Sequence, residues 1–118
     1  MEVASSANRK PLVFVYEAVG TMLFVYSILL TSNPMSISFS LFASIILFGS
    51  ITGGHFNPAV TLAVYIKESK YSENLSWLAI VILAQLTGAV MAIGLTEVTL
   101  FEGTLGNIPA DAVAKLCP

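Results

Sequence analysis

Charge is scarce in this sequence: Lys and Arg number five and Asp and Glu seven, together 10% of 118 residues. A soluble domain usually carries about a quarter of its residues as charges. With a net charge of −2 and no basic cluster, there is no electrostatic case for nucleic acid as a partner. The single cysteine, Cys117, cannot build a disulfide framework within the chain. The single histidine, His55, has no acidic residue nearby in sequence, so it reads as a loop residue satisfied by hydrogen bonds. Neither His55 nor Cys117 has the partner that a nucleophile–base pair or a metal cluster requires, so no enzyme, metal or cofactor is expected.

Hydrophobic residues supply what charge does not, at 56% of the chain, and they come in long blocks. One block runs from Leu12 to Leu30 and a second from Ile37 to Ile51. A third runs from Leu75 to Leu95, interrupted by Gln85, Thr87 and small residues. Crossing about 30 Å of hydrocarbon takes about 20 residues of helix. The first and third blocks have that length, and the second reaches it when Met35 and the uncharged turn to Gly54 are included. The lipid bilayer is thus the expected surrounding and the chain reads as a multi-pass membrane protein. Arg9 and Lys10 ahead of the first block would suit a secretory signal. The block outlasts the roughly 7–15 apolar residues of one, and Glu17 inside it is foreign to such a segment.

Thr31-Ser-Asn-Pro34 signals a tight turn. The stretch between Ile51 and Leu75 is too long for one. It opens Thr52-Gly-Gly-His-Phe-Asn-Pro-Ala59, turns apolar from Ala59 to Ile66, and closes on the charged run from Lys67 to Glu73. Helices are expected over about 12–31, 36–52 and 75–96, with a half-helix over about 58–66. Basic residues accumulate in short cytoplasmic loops. Arg9, Lys10, Lys67 and Lys70 fall on one side, and the tail after the third block has Lys115 alone among acidic residues. Residues 1–11 therefore read as a cytoplasmic tail, 12–99 as one membrane unit, and 100–118 as a loop on the opposite side. Asn74-Leu-Ser76 matches a glycosylation acceptor but lies on the cytoplasmic side, where Asn74 is expected to cap a helix.

Asn57-Pro58 has the residue types that open a helix, Asn as N-cap and Pro at the next position. A helix starting there starts deep in the membrane, with its positive N-terminal end in low dielectric. Gly53 and Gly54 allow an irregular backbone before it, leaving the carbonyls of Gly53, Gly54, His55 and Phe56 without helical partners. At membrane depth such backbone is tolerated only where protein surrounds it or water lines it. Broken helices of this kind recur at sites for transported solutes. Glu17 lies about a turn and a half inside the first block, too deep for a lipid-facing acid. Ala84, Gly88 and Ala92, spaced by four, suit close helix packing in a membrane.

The run Gly-Gly-His-Phe-Asn-Pro-Ala-Val-Thr from Gly53 to Thr61 resembles the first signature loop of the major intrinsic protein family of aquaporins and glycerol facilitators. Glu17-x-x-Gly20-Thr21 in the first block and Ala84-Gln85-x-x-Gly88 in the third extend the resemblance over Leu12 to Leu100. It implies an all-α membrane protein with one aquaporin-type repeat of three transmembrane helices and a re-entrant half-helix. It also implies a pore in which the Asn57 amide donates to water or a small polyol at Asn57-Pro58-Ala59 while the loop carbonyls accept. Glu17 and Gln85 would brace the loop. Ile37 would occupy a position in the constriction where strictly water-selective members place an aromatic residue, which would admit glycerol or urea. The family also implies a tetramer of pores.

Family members contain two inverted repeats, and this sequence matches the first. Asn107-Ile-Pro-Ala110 echoes the motif but carries an inserted Ile and is followed by Asp111, so it reads as a loop. The expectation is the amino-terminal half of a channel for water and small neutral solutes, incomplete alone. The alternative is a truncated, non-conducting membrane partner of full-length channels. An odd number of crossings places the two termini on opposite sides. Cysteines introduced at Ser5 and Asp111, with Cys117 replaced, should react with an impermeant reagent from opposite faces of sealed vesicles. Labelling of both from one face would overturn the three crossings.

Overall fold

The computed structural model of the chain describes residues 9–68 and 71–106, the side chains of 71–74 and 102–106 excepted. Cys117, Asp111, Lys115, Lys70 and the Asn107–Ala110 stretch lie outside the described residues. Everything regular among the described residues is helical: α1 (Lys10–Leu30), α2 (Pro34–Thr52), α3 (Pro58–Glu68) and α4 (Tyr71–Gly106). Three segments, Lys10–Leu30, Pro34–Thr52 and Leu75–Phe101, are long and apolar enough to cross a membrane. The 11 residues of α3 span about 16 Å at 1.5 Å per residue, half of what a crossing needs.

Local chemistry sets the boundaries. Pro11 sits in the first turn of α1, where its missing N–H removes no helical bond. The turn to α2 is closed by side chains: Thr31 Oγ1 accepts from the Asn33 N–H at 3.1 Å, and Asn33 Oδ1 accepts from the Met35 N–H at 2.9 Å. Pro34 follows that cap as the first residue of α2. At the far end, Gly53 takes the left-handed conformation (φ 95°) and donates to the Gly49 carbonyl at 2.9 Å, a glycine-terminated helix end.

The last helix is longer than the 75–96 expected from hydropathy. It begins at Tyr71, so Asn74 lies inside its first turn and does not cap it. At the other end the helix passes 99 and reaches Gly106, since Val98 to Leu105 contains no proline to stop it.

α1 is the axis of the bundle, packed against α4 on one side and α2 on the other, while α3 lies against α4. Val13, Glu17, Ala18, Gly20 and Thr21 form its buried stripe. Spacings of three, four and seven put these residues on one helix face. α1 and α4 run parallel and approach until their backbones touch. A Cβ on Gly88 would collide with the Ala18 carbonyl oxygen, so only glycine fits. Ala84 and Ala92, one turn either side, are fully buried in the same seam. Lipid chains are as apolar as leucine, so such helices are held by close packing and interhelical hydrogen bonds. Those bonds are present: Tyr26 Oη to Thr99 Oγ1 at 2.9 Å across α1 and α4, and Ser27 Oγ to Ser40 Oγ at 2.6 Å across α1 and α2.

The distribution of side chains is inverted relative to a water-soluble protein. Glu17, Thr21, Ser44, Thr52, His55, Thr61, Gln85 and Thr96 are buried, while Met35, Phe39, Ile46, Val90 and Phe101 are more than three-fifths exposed. Gly88→Ala should separate α1 from α4 and cost about 1–3 kcal/mol, as overpacking does. Gly94, where an added Cβ meets nothing within 4 Å, should accept alanine without loss and gain up to about 1 kcal/mol of helix propensity. Thermal unfolding of both variants in detergent would check this. Equal melting temperatures would remove the seam at Gly88 from the account.

Candidate functional site: a re-entrant loop and half-helix

Five residues, Gly53 to Asn57, turn the chain from the end of α2 into the start of α3. Three of them carry positive φ: Gly53 at 95°, Gly54 at 66° and Phe56 at 45°. For the glycines this is ordinary, but for Phe56 it is a strained conformation of the kind that persists only when its surroundings impose it. Two groups impose it here. The Phe56 N–H is held by a Glu17 carboxylate oxygen at 2.9 Å. Its ring is 1% exposed and fills the notch left by Gly20, where a Cβ would overlap the ring. The Phe48 ring meets it edge-on at 6.4 Å.

Glu17 is the anchor. Its side chain is fully buried, Oε1 accepts from the His55 N–H at 3.1 Å, and Oε2 accepts from the Phe56 N–H and from Gln85 Nε2, both at 2.9 Å. Gln85, on α4, gives its amide nitrogen a second acceptor in Thr61 Oγ1 at 2.8 Å. Thr61 in turn donates to the Asn57 carbonyl at 3.1 Å and lies 3.2 Å from His55 Nδ1. One network therefore ties α1, the loop, α3 and α4 together. The N–H groups of Gly53 and Gly54 are also satisfied, Gly53 by Gly49 O and Gly54 by Thr52 Oγ1 at 3.0 Å. All N–H groups from Gly53 to Phe56 are thus bonded inside the protein. Their carbonyls receive no donor among the described residues, which leaves the loop with four acceptors to offer.

Asn57 ends the loop and caps α3. Its Oδ1 accepts from the Ala59 N–H at 2.8 Å, and its carbonyl accepts from the Thr61 N–H at 3.0 Å. With the oxygen committed to the cap, the two N–H bonds of Nδ2 are left to point away, and Asn57, Pro58 and Ala59 are exposed. The positive end of α3 lies behind that amide. Donors from Asn57 and acceptors from the loop carbonyls thus stand beside each other at the turn.

Of the residues singled out in the sequence, Glu17, Gly53, Gly54, His55, Phe56, Asn57, Pro58, Ala59 and Gln85 are brought together at this turn. Ile37 is not among them. It is half-buried near the start of α2, and the 15 residues from it to Thr52 amount to about 22 Å of helix. Two members were missed by sequence reasoning. Thr61, which reads as one polar residue in an apolar run, is fully buried as the junction of the network. Its position four residues after the N-cap, on the face that carries Asn57, was the available signal. Trp77 is buried against His55, ring edge to ring face at 5.5 Å, and no local pattern announced that contact. Among the described residues no three His, Cys, Asp or Glu side chains cluster as metal ligands would.

Comparison with known proteins agrees with this architecture. The chain is 34% identical to an aquaglyceroporin of Toxoplasma gondii over 64 residues, covering 52% of this chain and 24% of that protein. It is 32% identical to aquaporin-B of Dictyostelium discoideum over 123 aligned positions, covering 88% of this chain and 39% of that protein. It thus spans well under half the length of either relative. No solved structure matches it. Residues 4–116 match the major intrinsic protein family, and with a buried glutamate, a capped half-helix and three membrane-length helices in place, the chain belongs to that family.

Proposed function

We propose that this chain forms one half of a membrane channel for water and small neutral solutes such as glycerol, with the Asn57 turn as its share of the pore. The observation that carries the reading is the division of polar groups at the turn. The N–H groups from Gly53 to Phe56 are all consumed internally, while the carbonyls of the same residues and the Asn57 amide remain available to a passing solute. A neutral molecule with hydroxyl groups can exchange bonds with such groups without an ion being desolvated. The positive end of α3 disfavours cations there. The names of the two relatives, one an aquaporin and one an aquaglyceroporin, support a solute range that includes glycerol. The basic residues Arg9, Lys10, Lys67 and Lys70 on one side support an amino terminus on the cytoplasmic face. By family resemblance the complete channel is a homotetramer of pores.

These acceptors need an opposing wall, because backbone carbonyls left facing lipid would each cost several kcal/mol. Vesicles containing this chain alone should show no water permeability above empty vesicles in stopped-flow light scattering. Joined to a complementary second repeat, the chain should raise it clearly. Conduction by the chain alone would overturn the half-pore reading.

Ile37 is proposed to line the constriction of the complete channel, about four turns of α2 away from the loop. An isoleucine there leaves a wider and more apolar wall than an aromatic ring would. In the complete channel Ile37→Phe should reduce glycerol uptake more than water flux. Equal effects on both, or none, would remove Ile37 from the filter.

A further inference from the structure

The junction at Thr61 fixes more than the shape of the loop. Its hydroxyl has one proton and two lone pairs, and three polar atoms surround it: Gln85 Nε2 at 2.8 Å, the Asn57 carbonyl at 3.1 Å and His55 Nδ1 at 3.2 Å. The Gln85 amide cannot be turned round, because its Oε1 would then face the Glu17 oxygen that accepts from the Phe56 N–H. Nε2 is therefore a donor to Thr61. The Asn57 carbonyl, which already receives the Thr61 N–H at 3.0 Å, also receives the Thr61 hydroxyl proton at 3.1 Å. With the hydroxyl proton on Asn57, one lone pair is left on Thr61 Oγ1 facing His55 Nδ1 at 3.2 Å, a place for an N–H donor. In a neutral imidazole one nitrogen donates and the other accepts, so the bond made by Nδ1 decides the character of Nε2.

The second nitrogen lies on the open side of the loop. His55 Nε2 is the atom nearest to where a Gly53 Cβ would stand, at 3.0 Å, and Gly53 is exposed. No donor or acceptor among the described residues reaches Nε2, yet it is absent from the fully buried unpartnered atoms, which are Thr21 Oγ1, Trp77 Nε1 and Gln85 Oε1. The Trp77 ring stands nearly perpendicular to the imidazole at 5.5 Å.

We propose that Thr61 is a positioning residue that locks His55 as the Nδ1–H tautomer, so that Nε2 adds an acceptor beside Gly53 for water and hydroxyl-bearing solutes. The solute half of this statement rests on the channel reading above, and the tautomer half does not. In the opposite tautomer an N–H would project from the same place and set a donor among the acceptors.

His55 is the one histidine in the sequence, so histidine-selective 15N labelling and solid-state NMR of the chain in lipid bilayers read it without ambiguity. At neutral pH the wild type should show a single species, protonated on Nδ1 and bare on Nε2. Magnetisation from water protons should reach Nε2. Thr61→Ser should keep this spectrum, and Thr61→Val should lose the single species to a mixture of tautomers. A wild-type ring protonated on Nε2, whether singly or doubly, would overturn the proposal. So would a Thr61→Val spectrum identical to wild type, or an Nε2 sealed from water. Because these signals do not depend on transport, a complete channel that fails to conduct would sink the channel reading while leaving the tautomer lock standing.

Discussion

A single carboxylate holding two consecutive backbone N–H groups is the constraint on which the rest of this structure depends. Glu17 receives three donors from two other parts of the chain, the loop and α4, and none of them is a side-chain cation. Each hydrogen bond to such a group contributes roughly 1.5–3 kcal/mol, and leaving a buried member unpaired costs about 1–3 kcal/mol. These magnitudes exceed what any one apolar contact supplies between helices already surrounded by hydrocarbon. The loop is therefore shaped by polar bonds, and apolar packing adapts to them. Gly88 against Ala18 lets α4 come close enough for Gln85 to reach Glu17. Gly20 opens the notch that receives Phe56 once its N–H is fixed.

The inverted interior follows from the same circumstance. In water, polar groups gain little by being buried; in a bilayer they lose much by being left outside. Serine and threonine hydroxyls close back on their own helices, as Ser44 does on the Ser40 carbonyl and Thr96 on the Ala92 carbonyl, each within 2.9 Å. The apolar residues that would form a soluble core are turned outward instead. The buried groups of α1, α3 and α4 around the loop are mostly polar, and Val13, Trp77 and Val81 form a small apolar cluster of their own.

Much of the fold was legible because lipid imposes simple rules. Length and hydropathy located the three long helices, and Asn57-Pro58 announced a helix starting where a membrane helix should not start. Glu17 was legible as a carboxylate too deep to face lipid. Helix ends were less so: α4 continues through polar residues at both ends, where hydropathy falls but no breaker intervenes. Least legible were long-range pairings. His55 has no acidic neighbour in sequence, yet Glu17, 38 positions earlier, binds its backbone N–H. Thr61 looks incidental until Gln85, 24 positions later, is found on its hydroxyl. Such contacts depend on how helices are rotated about their axes, which composition and period leave undetermined.

Phe56 shows what this arrangement asks of one position. Asparagine would suit its left-handed backbone and glycine would relax it altogether, but neither could fill the notch at Gly20. A large ring fills the notch and accepts a disfavoured backbone in return, at a cost on the order of 1–3 kcal/mol. The neighbouring Asn57 inherits its direction from that compromise. Aim and anchorage are thus written into adjacent residues, one chosen for bulk and the next for its amide, and their order cannot be exchanged.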